Sequence, residues 1–164
     1  MLRLRWGLGD HGIYWPDEIY QSLEPAHRLV YSYGLVAWEF VDGARSWAFP
    51  GLLAGVLAVA RLLGADEPAA YLTVVRIFFV TIAAGTAFGV YRLARVMGAP
   101  VMPAIAGTAA FSLAGPILYF GHRAMSETAS ALPVVFGFAL ALEGARLQRA
   151  RTLLYAGVSL LGVA

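Results

Sequence analysis

The sequence predicts an all-α, polytopic membrane protein, and three observations predict it. Apolar residues make up 60% of the 164-residue chain and charged residues 13%, where a soluble domain carries roughly a quarter charged residues. Mean hydropathy is +0.69. The apolar residues gather in stretches close to the length of a membrane span. This composition excludes a soluble enzyme. The chain has no Cys, which excludes disulfides and thiolate metal sites and leaves the redox compartment open. All 12 basic residues are Arg and Asn is absent, a bias that points to a GC-rich, bacterial gene.

Charge divides the chain. Residues 1–45 carry four Arg and six acids, and residues 46–164 carry eight Arg and four acids. An acidic, aromatic-rich headpiece therefore precedes a basic and largely lipid-buried remainder. All four Trp (Trp6, Trp15, Trp38, Trp47) lie in the headpiece or just after it, with Tyr14, Tyr20, Tyr31 and Tyr33. Such rings favour the membrane interface, where one side is wet and the other apolar; they also stack on sugar rings.

Within the headpiece, Pro16-Asp17-Glu18 opens a helix in which Tyr20, Leu23, His27 and Val30 recur at spacings of three and four, a face suited to lying on a membrane. Asp17, Gln21, Glu24 and Arg28 fall opposite. Pro25 removes the hydrogen bond to Gln21 and predicts a kink there. Apolar stretches follow at 48–64, 70–91, 101–120 and 128–143, and a further one starts at 152. A span needs about 20 residues. The second and third stretches meet that length, and the fourth is short unless it borrows from its flanks. The first has 17 residues, with Pro50 near its start and Arg61 near its end.

Short Arg-rich loops stay on the cytoplasmic side. Residues 92–100 contain Arg92 and Arg95, and residues 144–151 contain Arg146, Arg149 and Arg151. Residues 65–69 contain Asp66 and Glu67 without Arg, and residues 121–127 contain Arg123 alone. These loops alternate correctly if 48–64 lies in the membrane plane or re-enters. The expected organisation is an external headpiece over residues 1–64, with juxtamembrane helices, and transmembrane helices over residues 65–164. No apolar signal segment precedes Asp17, so the chain is expected to be a fragment lacking a first span and everything beyond about the fifth.

Several residues have chemistry with two readings. Asp17 and Glu18 after Pro16 are ordinary helix-start residues, or carboxylates offered to a substrate. Glu24 and Arg28 are an i, i+4 pair, or binding groups. His11, Asp17, Glu24 and His27 are metal-ligand types, but no paired motif such as His-Glu-x-x-His occurs, and no metal is expected. His27 also suits a hydrogen-bonding packing role, and His122 a position at the membrane interface. Arg76 lies inside an apolar stretch, where a charge at the helix centre costs about 2.5–3.5 kcal/mol on insertion scales; it snorkels or meets a phosphate. Arg123, followed by Ser126 and Glu127, sits on the headpiece side, where a guanidinium can bind a phosphate bidentately.

The string Pro16-Asp17-Glu18-Ile19-Tyr20-Gln21-Ser22-Leu23-Glu24-Pro25-Ala26-His27-Arg28, followed by Tyr33-Gly34, Trp38-Glu39 and Arg45-Ser46 with Pro50, resembles the family 22 GT-C glycosyltransferases. These are lipid-phosphate-mannose-dependent mannosyltransferases of GPI-anchor and N-glycan assembly, with prokaryotic relatives. His122-Arg123-Ala124-Met125-Ser126-Glu127-Thr128 is similar to a later motif of the family, with Glu127 where Asn is common. Ser32 stands where Gly is common. The resemblance implies the N-terminal part of a GT-C transmembrane module whose first external loop holds in-plane helices and an essential acid, matched by Asp17. It implies inverting transfer of a sugar, mannose by default, from a polyprenyl-phosphate donor to a glycan or glycolipid hydroxyl. Glu18 joins Asp17 as a catalytic candidate, with Glu18 and Gln21 expected to orient Asp17 or the acceptor, and Gln21, Glu24, His27, Arg45, Arg123, Ser126 and Glu127 are candidates for substrate binding. No cofactor, metal or nucleic acid is expected. The implied location is the outer face of a bacterial inner membrane, or the endoplasmic reticulum in a eukaryote. A transporter-like subunit and an inactive membrane fragment are the competing classes.

Overall fold

The computed structural model describes residues 15–161, and the elements among them are helices, without strands. His11 lies outside the described residues. The first helical run, α1, has three consecutive pieces: an α turn at Pro16–Glu18, a π-helical stretch at Ile19–Leu23 and an α-helix at Glu24–Tyr31. There follow α2 (Trp38–Val41), α3 (Ala48–Leu62), α4 (Pro68–Val96), α5 (Val101–Leu113), α6 (Gly115–Phe120), α7 (Ser126–Leu147) and α8 (Ala150–Leu161). The chain forms two compact units. One holds the residues up to Val80 together with His122–Ser126, the other Thr81–Gly121 and the residues from Glu127 on.

In the first unit, α1 packs on α3. The helix does not break at Pro25. A proline has no N–H and its ring crowds the carbonyl four residues back; the wider π turn immediately before Pro25 accommodates both effects. The Glu24 N–H reaches the Ile19 carbonyl, an i to i+5 bond, and the Ser22 hydroxyl donates to the Asp17 carbonyl at 3.1 Å. Each π turn lags the α phase, so the buried face also differs from the expected one. Glu18, Ser22, Leu23 and Ala26 are buried, while Tyr20 is exposed. Leu53, Leu57 and Ala60 of α3, Phe40 of α2, and Val75 and Phe79 of α4 complete this core.

The second unit packs differently. Its buried hydrophobic side chains among the described residues are Ala83, Ala104, Ala139 and Ala156, the small-residue packing typical of helices in lipid, where close approach replaces a hydrophobic driving force. A Cβ built on Gly85 would lie 3.0 Å from Leu132, and one on Gly89 3.0 Å from Phe136. Moving one turn along α4 thus moves one turn the same way along α7, so these helices run parallel. Their C-terminal ends are joined by the Arg92–Glu143 ion pair at 2.8 Å, and the starts of the two Arg-bearing loops share one end of the unit. Gly137 meets Leu160 and Gly144 meets Leu153, so α7 and α8 are antiparallel.

Among the described helices, α4 and α7 are long and apolar enough to cross a membrane. At 1.5 Å per residue, α4, with 29 residues, is roughly 43 Å long, and α7, with 22 residues, roughly 33 Å. The fourth apolar stretch therefore gains its length from its flanks. The stretch at 101–120 is divided: Ala114 is extended (φ −59°, ψ 134°) and a new helix starts at Gly115. Pro116 cannot continue the hydrogen-bond ladder of α5. Thr73, Thr86, Thr108 and Ser159 donate their hydroxyls to carbonyls one turn back, which satisfies them without water.

Candidate functional site

Glu18 closes the first α turn of α1 and is only 7% exposed. Its carboxylate accepts from Arg123 Nη1 at 3.0 Å through Oε2 and from the Ala124 N–H at 3.3 Å through Oε1. Arg123 is 2% exposed. The pair joins two motifs 105 residues apart, and His122 and Ala124 on either side of Arg123 are buried as well. His122, read from sequence as an interface residue, is instead part of the core.

Asp17, one residue earlier, is exposed. Its carboxylate makes no hydrogen bond to another described residue, while its backbone carbonyl is held by Ser22. Gln21 Nε2 donates to Glu39 Oε1 at 3.3 Å, tying α1 to α2. Glu39 belongs to the Trp38-Glu39 motif, yet sequence reasoning did not single it out, because a partner 18 residues away leaves no periodic signal.

Glu24, His27 and Arg28 work on the loop after α1. Glu24 Oε2 accepts from the Leu35 N–H at 2.9 Å, and Arg28 Nη1 donates to the Gly34 carbonyl at 3.0 Å. The expected i, i+4 pair is thus replaced by two separate bonds to one turn. His27 Nδ1–H donates to the Tyr33 carbonyl at 3.1 Å, a carbonyl being only an acceptor. The His27 ring stacks on Tyr31 at 4.5 Å and meets Tyr33 edge-on at 4.8 Å. The Arg61 guanidinium lies 5.5 Å from the Tyr31 ring centroid and donates to the Val30 carbonyl at 3.2 Å, fastening the end of α3 to α1. Ser32 caps α1 in the left-handed region (φ 65°) and Gly34 has φ 134°. A Cβ on Gly34 would also lie 3.0 Å from Glu24 Oε2.

The remaining candidates are on the surface. Arg45 is exposed in the turn after α2, where its N–H bonds the Glu39 carbonyl. Ser126 and Glu127 are exposed in the first turn of α7. Arg76 is half-buried in α4, without an ion-pair partner among the described residues. No group of three or more His, Cys, Asp or Glu among the described residues is placed to hold a metal ion.

A family model described as the Alg9-like mannosyltransferase family matches residues 4–163. Over 53 residues, 32% of this chain, the sequence is 53% identical to GPI mannosyltransferase 3 of Yarrowia lipolytica, covering 10% of that protein. It is 46% identical over 52 residues to GPI alpha-1,2-mannosyltransferase 3 of Mus musculus, with 32% of this chain and 10% of that protein covered. It is 43% identical over 53 residues to Mannosyltransferase APTG1 of Arabidopsis thaliana, with the same shares of 32% and 10%. The matched segments thus cover about a tenth of these relatives (10% each). All three are eukaryotic and lend no support to the bacterial source read from composition. No solved structure matches.

Proposed function

Because the chain belongs to the Alg9-like mannosyltransferase family, we propose that in the whole protein it forms part of a membrane mannosyltransferase whose general base is Asp17. The observation that carries this reading is the buried Glu18–Arg123 pair. It gathers the Pro16-Asp17-Glu18 and His122–Ser126 motifs into one place and leaves Asp17 as the exposed acid there.

The donor is a polyprenyl-phosphate sugar and the acceptor a glycan or glycolipid hydroxyl. The acceptor oxygen attacks the anomeric carbon as its proton passes to the Asp17 carboxylate. The bond from that carbon to the phosphate oxygen breaks on the opposite face, so the configuration inverts, and the polyprenyl phosphate leaves with the electron pair. Gln21, Glu24 and His27 hold Glu39 and the turn at 33–35 in the same headpiece as Asp17. Arg45, Ser126 and Glu127 are exposed and are the further candidates for contact with the substrates. The headpiece faces the outer or lumenal side, reached by a donor whose phosphate sits at headgroup depth. In a eukaryotic cell that membrane is the endoplasmic reticulum. Neither a transporter-like subunit nor an inactive fragment is favoured by the family match.

The test is Asp17→Asn in the whole protein, assayed with a lipid-linked mannose donor. Transfer should fall by about 10² to 10⁴ with membrane expression unchanged. Unaltered turnover would leave Asp17 as a helix-start residue only.

A further inference from the structure

Glu18 and Arg123 are buried too deeply to be offered to a substrate. A guanidinium that is 2% exposed and bonded at 3.0 Å to a carboxylate has its charge compensated inside the protein. Ionised groups are placed there only when paired and hydrogen-bonded. The Glu18 carboxylate uses both oxygens, one on Arg123 and one on the Ala124 N–H, which fixes its position and its orientation. One residue back, the Asp17 carbonyl is fixed by the Ser22 hydroxyl at 3.1 Å, and the ring of Pro16 restricts φ. Asp17 is therefore held from three directions while its own carboxylate stays exposed.

We propose that Glu18 and Arg123 are positioning residues, and that their ion pair sets where the Asp17 carboxylate stands relative to the His122–Ser126 segment. The inference rests on the reading of Asp17 as the base. It assigns neither Glu18 to proton transfer nor Arg123 to donor binding. The π stretch at Ile19–Leu23 belongs to the same device. By widening the helix just after Glu18 it changes the phase between Glu18 and the rest of α1, so that Glu18 turns inward while Glu24 and Arg28 reach the loop beyond. Such bulges recur at functional sites for this kind of local re-aiming. Displacing a reacting group by about 1 Å costs on the order of 10² in rate, so the pair need not touch a substrate to control turnover.

The experiment is a mutant cycle in the whole protein, with Glu18→Gln, Arg123→Met and the double variant, measuring donor and acceptor KM, kcat and the pH–rate profile. Each single change should lower kcat by about 10- to 100-fold with both KM values nearly unchanged. The double variant should be no worse than the poorer single one, and Arg123→Lys should recover part of the rate. In Glu18→Gln the acid limb of the profile should persist, because the proposed base is left in place. Loss of that limb would make Glu18 the base and overturn the proposal. A rise in donor KM at constant kcat in Arg123→Met would make Arg123 a donor contact, and multiplicative losses in the double variant would make the residues independent; either also overturns it. Glu18→Cys with Arg123→Cys, treated with a short bifunctional thiol reagent on this Cys-free background, reads the contact without any activity. Cross-linking together with an unsubstituted whole protein that transfers no sugar would sink the enzymatic reading and keep the contact, and absent cross-linking would sink the contact itself.

Discussion

Asp17 and Glu18 are adjacent carboxylates in opposite surroundings, one in water and one closed over by Arg123 and Ala124. Removing one partner of a buried ion pair leaves the other uncompensated, which costs about 3–5 kcal/mol; removing an exposed carboxylate leaves the fold intact. A change at Asp17 is therefore a clean probe of chemistry, and a change at Glu18 or Arg123 mixes chemistry with folding. Ser32 shows a different constraint. It ends α1 with φ 65°, a conformation that costs a residue bearing a Cβ roughly 1–2 kcal/mol and that Gly adopts freely. Ser32→Gly should stabilise the detergent-solubilised protein by about 1 kcal/mol, read as a higher midpoint of thermal unfolding. An unchanged or lower midpoint would mean that the Ser32 side chain contributes more than its backbone strain removes.

The helices differ in how they are held. In the first unit α1 and α3 pack large side chains, Leu23 against a core with Leu53 and Leu57, as a water-facing domain does. In the second unit α7 approaches α8 through glycine: a Cβ on Gly137 would sit 2.7 Å from Leu160 Cγ. Gly137→Ala should destabilise by about 1–3 kcal/mol, the range for overpacking a filled interface. Leu160→Ala in the same chain should recover most of that loss. Equal damage with and without the second change would place the strain elsewhere. The sequence displayed these glycines only as members of an apolar stretch. Which of them faced a neighbour depended on a partner helix, and hydropathy carries no information about that.

For the whole molecule the testable matter is sidedness. The parallel course of α4 and α7 and the Arg92–Glu143 pair put the starts of the two Arg-bearing loops at one end of their unit, and the expectation from the distribution of Arg is that this end is cytoplasmic. With α3 at 15 residues, roughly 22 Å long, the helix falls short of the hydrocarbon thickness of about 30 Å and suits an in-plane course. Single cysteines introduced as Asp42→Cys and Asp66→Cys should then react with an impermeant reagent from the outer or lumenal side. Met97→Cys and Gln148→Cys should react from the cytoplasmic side. Cytoplasmic labelling at position 42 with outer labelling at position 66 would make α3 a span.

The sequence by itself determined the helical membrane class, the acidic headpiece, the helix start at Pro16 and the motifs around Asp17 and Arg123, because composition, apolar run length and local residue order are properties of the chain alone. Tertiary structure decided the partners. Glu18 and Arg123 are 105 residues apart, and nothing local distinguishes a buried carboxylate from the exposed one beside it. The π stretch shifted the buried face of α1 away from the one that α spacing predicts, since periodicity assumes a constant turn and Pro25 altered it. Glu24 and Arg28 were legible as a pair only along an isolated helix; the folded turn at 33–35 offered each a backbone partner, and those bonds took precedence. Burial and pairing are set by what the rest of the chain brings against a residue, and only the folded arrangement contains that.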